Sequence, residues 1–214
     1  MLKADLHIHT TYSFDSTMAL QDIINKCLKI GITCVAITDH GTIEGALKLR
    51  EIAPFKVIIG QEILTSEGEV MGLFLQQSVP KGVTPLKAVA MVKEQGGLFG
   101  IPHPFDRIGR WGLPKSTIYS LIPHIDVIEA FNSRTLFFWD TTRTGLFAKE
   151  HNIPTSAGSD AHVPWEIGRT YLEMPDFNSP QEFIQSLKQA HTIGRHSWPW
   201  PHMVGLWTRL KRHF

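Results

Sequence analysis

The sequence predicts an α/β domain whose strands form a small barrel, complete or incomplete, rather than an open sheet. Short apolar segments of strand length alternate with segments of helical periodicity, and about seven such units fit into the 214 residues. Histidines and carboxylates follow most of the apolar segments. In βαβ units these positions are the carboxyl ends of parallel strands, where α/β proteins place their active residues.

The first half of the chain contains four predicted strands and three predicted helices. The strands cover residues 2–9, 33–38, 56–60 and, after a hairpin turn at Ser66-Glu67-Gly68, 70–75. The helices cover residues 18–30, 43–52 and 86–95. Apolar residues recur at helical spacing in the first helix, which stops at Gly31, and Gly96-Gly97 closes the third.

The second half continues the alternation. Strands are predicted at residues 98–101, 126–131, 155–157 and 170–174, and helices at 136–151 and 180–190, the latter as the last regular helix. No internal repeat or linker interrupts these elements. We therefore expect one barrel domain over residues 1–195.

Residues 196–214 form a tail of different character. Trp198-Pro199-Trp200-Pro201 precedes a stretch in which apolar and basic residues are mixed. Such a segment could bind a membrane surface or nucleic acid. Packing is the commoner outcome, so we expect the tail to lie on the barrel, at its bottom, or on a dimer interface.

Composition limits the function classes. Apolar residues make up 43% of the chain, enough for one large core, and no run approaches the roughly 20 apolar residues of a membrane span. A net charge of +1 argues against a strongly basic surface for nonspecific nucleic-acid binding, though not against a local basic pocket. No signal segment precedes the first strand, which predicts a cytoplasmic protein. Cys27 and Cys34 fall within the apolar pattern and are predicted to be buried thiols.

The chemistry-bearing residues occur in short clusters. These are Asp5-Leu6-His7-Ile8-His9, Asp15, Thr38-Asp39-His40, Glu62, Pro102-His103-Pro104 and Ser159-Asp160-Ala161-His162. Residues two apart on a strand face the same side, so His7 and His9 could bind one metal ion, and Asp160 and His162 repeat that spacing. Each cluster alone has a structural alternative, such as a helix cap at Asp39 or a plain turn at His103. Together, at the ends of successive strands, they indicate a site for divalent metal ions.

In this order the motifs resemble those of the PHP (polymerase and histidinol phosphatase) superfamily. The resemblance runs from about Leu2 to Met174 and implies a distorted (β/α)7 TIM-like barrel that hydrolyses phosphoesters with two or three ions of zinc, manganese or iron. It also implies the ligands. His7, His9, Glu62 and Asp160 would hold one ion, Glu62 and His103 a second, and Asp15, His40 and His162 a third.

The sequence departs from the pattern of the superfamily in two places. Many relatives carry a histidine after the strand that here ends Glu129-Ala130-Phe131-Asn132, so the second ion is predicted to be bound through the weaker amide oxygen of Asn132 or mainly by water. Some carry a histidine in the hairpin, where this chain has Glu69 and Val70. Two ions are therefore more secure than three, and the site should be open, because only 40 residues separate Glu62 from His103.

The predicted reaction is attack on phosphorus by a metal-activated hydroxide. Glu62, Asp160 and His103 would serve catalysis by holding the ions, and either the third ion or Asp39 could protonate or stabilise the leaving group. Three arginines on loops after ligand-bearing strands are candidates for binding the substrate phosphate, namely Arg107, Arg134 and Arg169. For any one of them, an ordinary surface position is the alternative.

These observations predict a phosphatase acting on a small phosphorylated metabolite or nucleotide. One alternative is a nuclease that trims DNA or RNA ends, of which Trp111 beside Arg107 and Arg110 is the local hint. The other is a noncatalytic metal-bearing module that binds a partner. A pure binding module has no need of so complete a set of histidines and carboxylates. The substrate, the native metal and the oligomeric state do not follow from the sequence.

Overall fold

A computed structural model of the chain describes residues 1–106, 112–135 and 137–194, with the side chain of Phe138 excepted. It confirms the predicted mixed α/β architecture. The strands in the described residues are β1 (Leu2–Ile8), β2 (Cys34–Ile37), β3 (Lys56–Leu64), β4 (Glu69–Leu73), β5 (Leu98–Ile101), β6 (Val127–Asn132), β7 (Thr155–Gly158), β8 (Thr170–Met174) and β9 (His191–Gly194). The helices are α1 (Leu20–Ile30), α2 (Glu44–Ile52), α3 (Pro85–Glu94), α4 (Lys115–Leu121), α5 (Phe138–Glu150) and α6 (Pro180–Leu187).

The strands form a single sheet that nearly closes on itself. Their order is β7-β6-β5-β4-β3-β2-β1-β8-β9, and Ile8 of β1 forms a parallel bridge with Ala161, which lies in the loop after β7. β1, β2 and β3 are parallel to one another, as are β5, β6 and β7. This is the distorted, TIM-like barrel that the sequence predicts.

Several elements differ from the prediction in detail. β4 returns antiparallel to β3, as expected of the hairpin, but β8 is also antiparallel to β1. β3 runs through Gln61 and Glu62 rather than ending before them. The sequence did not predict α4, which is only seven residues long, or β9, all four residues of which are exposed and lack apolar alternation. Leu136 and the tail at 196–214 lie outside the described residues, so the predicted place of the tail stays a prediction.

The interior of the barrel is apolar at the end where the parallel strands begin. A buried cluster containing Leu6 from β1 continues to Met174, Phe177 and Phe183, and Met174 pairs with Leu2 at the start of β1. The rings of Phe177 and Phe183 pack edge to face, with their centroids 5.0 Å apart. A second, larger apolar layer separates the outer faces of the strands from the helices. The opposite end of the interior is therefore left to polar side chains.

Close approach of β1 and β7 requires a glycine. A Cβ atom on Gly158 would lie 2.4 Å from His7 Cβ and 2.7 Å from the His7 backbone nitrogen. Any side chain there would push β7 away from β1. Gly158 thus allows the barrel to close next to the loop that carries Asp160 and His162.

No helix in the described part of the chain is long and apolar enough to cross a membrane.

Candidate metal centre

Three overlapping groups of imidazole and carboxylate side chains lie at the polar end of the barrel. They are His7, His9 and Glu62; His40, Glu62 and Glu69; and His9, Asp15, His40 and His162. Within each group, one ligand atom per residue lies within 4.8 Å of every other. Because the groups share Glu62, His9 and His40, they form one continuous cluster.

The shortest contacts centre on Glu62. Its Oε1 atom lies 2.8 Å from His103 Nε2, and its Oε2 atom lies 3.3 Å from the Nε2 atoms of both His7 and His9. Asp160 Oδ1 lies 3.6 and 3.3 Å from the same two nitrogens. Residues from four separate segments of the chain therefore place their ligand atoms around a common centre, and Glu62 faces two sides of it.

Asp15 is the centre of the third group. Its Oδ2 atom lies 3.3 Å from the Nε2 atoms of both His40 and His162. Burial alone would raise the pKa of Asp15, but His162 and His40 outweigh it and hold this pKa well below its usual range. The structure thus brings Asp15, His40 and His162 together, as the sequence predicts.

Two candidate ligands have backbones in the left-handed region. His103, between Pro102 and Pro104, has φ of 28°, and Asp160 has φ of 53°. Non-glycine residues adopt positive φ rarely, and they do so mainly where the surrounding structure fixes them for a function. The strained backbone turns both side chains into the cluster after β5 and β7.

Glu129 on β6 is a member of the site that sequence reasoning missed. Its Oε1 atom lies 3.0 Å from His7 Nδ1, and its Oε2 atom accepts hydrogen bonds from the His103 backbone N–H and from Asn132 Nδ2, both at 2.9 Å. A carboxylate on His7 Nδ1 fixes the tautomer that leaves Nε2 free to bind a metal. The signal that the sequence offers for Glu129 is its place within the predicted strand 126–131, because glutamate is rarely buried unpaired.

Asn132 links two carboxylates. Its amide NH2 group donates to Glu129 Oε2 and, at 3.2 Å, to Asp160 Oδ2, while its Oδ1 atom accepts a bond of 2.9 Å from the Arg134 backbone N–H. The structure places Asn132 in the cluster, but with its NH2 group rather than its oxygen facing the carboxylates.

Two imidazoles of the cluster, His9 and His162, have pKa values shifted in opposite directions. Burial alone would lower the pKa of His9, but hydrogen bonds with Asp160 and Glu62 outweigh it and raise this pKa to about 10. Burial, the Arg134 guanidinium and His9 lower the pKa of His162 to about 4. Without a metal ion, His9 is therefore charged at neutral pH and His162 is neutral.

Asp39 is bonded to the loop after β1. Its two carboxylate oxygens accept bonds from the Thr10 backbone N–H and the Thr10 hydroxyl, at 2.5 and 2.7 Å, and burial raises its pKa. A Cβ atom on Gly45 would lie 2.2 Å from Asp39 Oδ2, so the start of α2 packs directly on this carboxyl group. Asp39 is not a member of the three ligand groups.

The candidate arginines occupy different surroundings. Arg134 is 7% exposed, with Nη1 2.6 Å from His162 Nδ1 and Nε 3.7 Å from Glu166 Oε1. Arg169 is half-buried, and its backbone N–H donates to the Glu166 carbonyl. Arg107, like Arg110 and Trp111, lies outside the described residues. Of the described arginines, Arg134 is the one that contacts the cluster.

The donor set fits divalent metal ions. Imidazole nitrogens and carboxylate oxygens are ligands that zinc, manganese and iron(II) take in proteins, and atoms that share one ion lie about 3 to 4 Å apart. The Nε2 atoms of His7 and His9 are 3.1 Å apart. Two imidazole nitrogens this close cannot both carry a proton comfortably, whereas a shared cation would satisfy both of them and the facing carboxylates.

Family models match two parts of the chain. The model described as the PHP domain matches residues 5–100, which include every candidate ligand from His7 to Glu69. The model described as PHP-associated matches residues 142–192, which include Asp160 and His162.

The chain is also similar to individual proteins. It is 34% identical over 197 residues to an uncharacterized protein of Methanocaldococcus jannaschii, a match that covers 87% of this chain and 79% of the relative. An error-prone DNA polymerase of Symbiobacterium thermophilum is 27% identical over 201 residues, which cover 86% of this chain but 17% of the polymerase.

Among solved structures, the chain resembles a two-domain protein of Bacteroides vulgatus described as containing a predicted PHP-like metal-dependent phosphoesterase. The TM-score is 0.73 at 20% identity, and the match covers 91% of this chain. The chain spans 65% of that protein's length. At this identity the likeness supports the fold alone.

Proposed function

The chain belongs to the PHP domain family, and we propose that it is a metal-dependent phosphoesterase that hydrolyses a phosphomonoester of a small metabolite or nucleotide. One observation carries the proposal: the buried cluster in which Glu62 faces His7 and His9 with one oxygen and His103 with the other. A carboxylate in this position can hold two divalent ions at a fixed separation. Bound ions of this kind supply hydroxide at neutral pH and neutralise charge on the phosphoryl oxygens.

Each proposed ion has its own set of ligands. His7, His9, Glu62 and Asp160 would hold the first ion, Glu62 and His103 would hold the second, and Asp15, His40 and His162 would hold a third. Glu129 would orient His7 and the backbone of His103. This arrangement explains why a carboxylate from β6 is buried beside ligands from β1 and β5.

Arg134 would keep a positive charge beside the substrate phosphate. Its guanidinium contacts His162 Nδ1 and, together with burial, lowers the pKa of that imidazole, which is therefore neutral. Guanidinium groups also bind phosphate oxygens in pairs. For Asp39, the bonds to Thr10 favour a role in positioning the loop after β1 over the predicted role as proton donor.

The test is hydrolysis of p-nitrophenyl phosphate and bis-p-nitrophenyl phosphate by metal-stripped protein to which manganese, zinc, iron(II) or magnesium is returned. We expect metal-dependent turnover with a preference for the monoester, and loss of turnover in Glu62→Gln. The matched control is Glu67→Gln, an exposed carboxylate on the β3–β4 hairpin. A protein that binds metal ions yet hydrolyses neither ester with any of them would contradict the proposal and favour the noncatalytic module.

A second candidate function is nuclease activity on DNA or RNA ends. The similarity to an error-prone DNA polymerase, which covers 86% of this chain, favours it. A nuclease should prefer the bis-ester, and should shorten single-stranded oligonucleotides labelled at one end. Monoester preference without shortening of either DNA or RNA would exclude it.

A further inference from the structure

Glu69 lies in the metal cluster, although it comes from the antiparallel hairpin strand β4. It pairs with Leu64, two residues beyond Glu62, and it is 7% exposed. Its Oε1 atom is 3.7 Å from His40 Nδ1, and its Oε2 atom is 3.9 Å from His103 Nε2. A buried carboxylate is costly unless a cation or hydrogen-bond donors compensate it. The hairpin therefore adds a negative charge to the part of the cluster that contains His103.

Asn132 is poorly suited to the ligand role in that part of the cluster. Its NH2 group faces the carboxylates of Glu129 and Asp160, and its oxygen accepts the Arg134 backbone N–H. The opposite amide orientation would place the oxygen against two carboxylates and the NH2 group against a backbone donor. The amide is thus fixed by its neighbours with its donors towards the cluster, and donors do not bind cations.

We propose that Glu69 is the third protein ligand of the ion shared by Glu62 and His103, in the role that the sequence assigned to Asn132. Two of the three separations fit one ion, because His103 Nε2 lies 2.8 Å from Glu62 Oε1 and 3.9 Å from Glu69 Oε2, and Glu62 and Glu69 also share a ligand group with His40. Atoms bound to one ion at about 2.1 Å lie at most about 4.2 Å apart. The inference rests on the metal binding in the proposed function but not on the identity of the substrate.

The ligand set has a chemical consequence. Two carboxylates and one imidazole form a harder donor set than the pair of imidazoles at His7 and His9, and carboxylate-rich sites suit manganese and iron(II). The ion at Glu69 should therefore be the one that most readily exchanges zinc for manganese. A histidine at position 69 would make this donor set softer.

The experiment measures metal binding rather than activity. Metal-stripped full-length protein is titrated with manganese and with zinc by calorimetry, and ions retained after desalting are counted by mass spectrometry. We expect Glu69→Gln to lose one ion, or to bind manganese at that site about 100-fold more weakly. Glu67→Gln, which removes the same charge from the exposed part of the hairpin, should match the wild type. Asn132→Ala should retain the wild-type number of ions, although the loss of its bonds to Glu129 and Asp160 should weaken their binding.

A second variant guards against a purely structural effect. Glu69→His should keep the full number of ions while shifting the preference from manganese to zinc by about 10-fold or more. A residue that only supports the fold would not change metal preference. Far-UV circular dichroism would establish that each variant is folded before its metal content is compared.

Double variants identify the ion concerned. If Glu69 and His103 bind the same ion, Glu69→Gln combined with His103→Ala should lose no more ions than either single variant. If instead the double variant Glu69→Gln with His40→Ala loses no more ions than either single variant, Glu69 binds the third ion and the proposal is overturned. It is also overturned if Glu69→Gln binds manganese and zinc as Glu67→Gln does, whatever Asn132→Ala does.

These outcomes separate the inference from the proposed function. A wild-type protein that binds ions but hydrolyses no ester would contradict the proposed function. The number of ions bound by the Glu69 variants would still test whether Glu69 is a ligand. A wild-type protein that binds no divalent ion at all would overturn both.

Discussion

The two ends of the barrel interior differ in the kind of side chain that fills them. The ligand end, defined by His7, His9, Glu62, His103 and Asp160, places imidazoles and carboxylates within 4 Å of one another. The packed end, defined by Leu6, Met174, Phe177, Phe183 and Leu187, is a cluster of buried apolar side chains, with the Lys56 ammonium over the outer Phe177 ring.

The difference shows which end stabilises the fold. Apolar burial contributes roughly 25 cal/mol per Å² of surface removed from water, whereas buried charges gain little unless all their partners are present. The left-handed backbones at His103 and Asp160 add strain on the ligand side. We therefore expect changes at the ligand end to alter activity and metal binding, and changes at the packed end to alter stability.

The largest expected effect is that of Glu62→Gln on turnover. The amide has the shape of the carboxylate but not its charge, so it cannot hold two ions, and turnover should fall about 1,000-fold, which corresponds to about 4 kcal/mol of transition-state stabilisation. The measurement is kcat/KM for the better of the two p-nitrophenyl esters with saturating metal. Retention of activity within tenfold of the wild type would break the assignment of Glu62 to the metal centre.

Phe183→Ala should produce the converse result at the packed end. Phe183 is fully buried against Phe177 and Phe74, so its removal should lower the free energy of unfolding by about 3 to 5 kcal/mol, measured by urea denaturation. At a temperature where the variant is folded, its metal stoichiometry should equal that of the wild type. Loss of an ion in this variant would show that the two ends are coupled. Stability and metal binding could then not be assigned to separate ends of the barrel.

The pH dependence of stability should distinguish the ends further. The pKa of His9 in the metal-free protein is raised from its ordinary value of 6.5 to about 10. The stability that this imidazole contributes is therefore complete below about pH 6.5 and is lost as the pH rises towards 10. Metal binding has the opposite dependence, because a bound imidazole must give up its proton.

The difference in melting temperature between metal-loaded and metal-free protein should accordingly widen between pH 7 and pH 10. Calorimetric scans at several pH values measure it. Phe183→Ala should lower both melting temperatures without changing how their difference depends on pH. A difference that is constant with pH in the wild type would show that His9 is not charged in the metal-free protein.

The sequence predicted the fold class and the order of the candidate ligands for the same physical reason. Alternation of strands and helices places strand ends on one rim, so residues such as His40, His103 and His162, far apart in the chain, are expected to meet there. β9 was not predicted because its four exposed residues show no alternation of apolar and polar side chains. α4 was not predicted because seven residues are too few for a clear helical period.

The site was predicted less completely than the fold. Glu129 and Glu69 belong to strands β6 and β4, and a carboxylate in a strand faces either the interior or the helices according to a register that the sequence does not reveal. Asn132 was expected to offer its oxygen because it stands where many relatives carry a histidine. Its orientation depends on Arg134, Glu129 and Asp160, which become neighbours only in the folded chain.

The smallest expected effect belongs to the cap of α6, the helix that carries Phe183. Ser179 accepts a hydrogen bond from the Glu182 backbone N–H at 3.2 Å, and Glu182 accepts one from the Asn178 backbone N–H at 2.7 Å. Ser179→Ala should cost about 1 kcal/mol of unfolding free energy, since it leaves one helix donor without its partner. Urea denaturation measures the loss, and metal titration should give wild-type values. Any change in metal affinity would mean that even slight movement of α6 reaches the ligand end, and that the barrel interior transmits strain along its whole length.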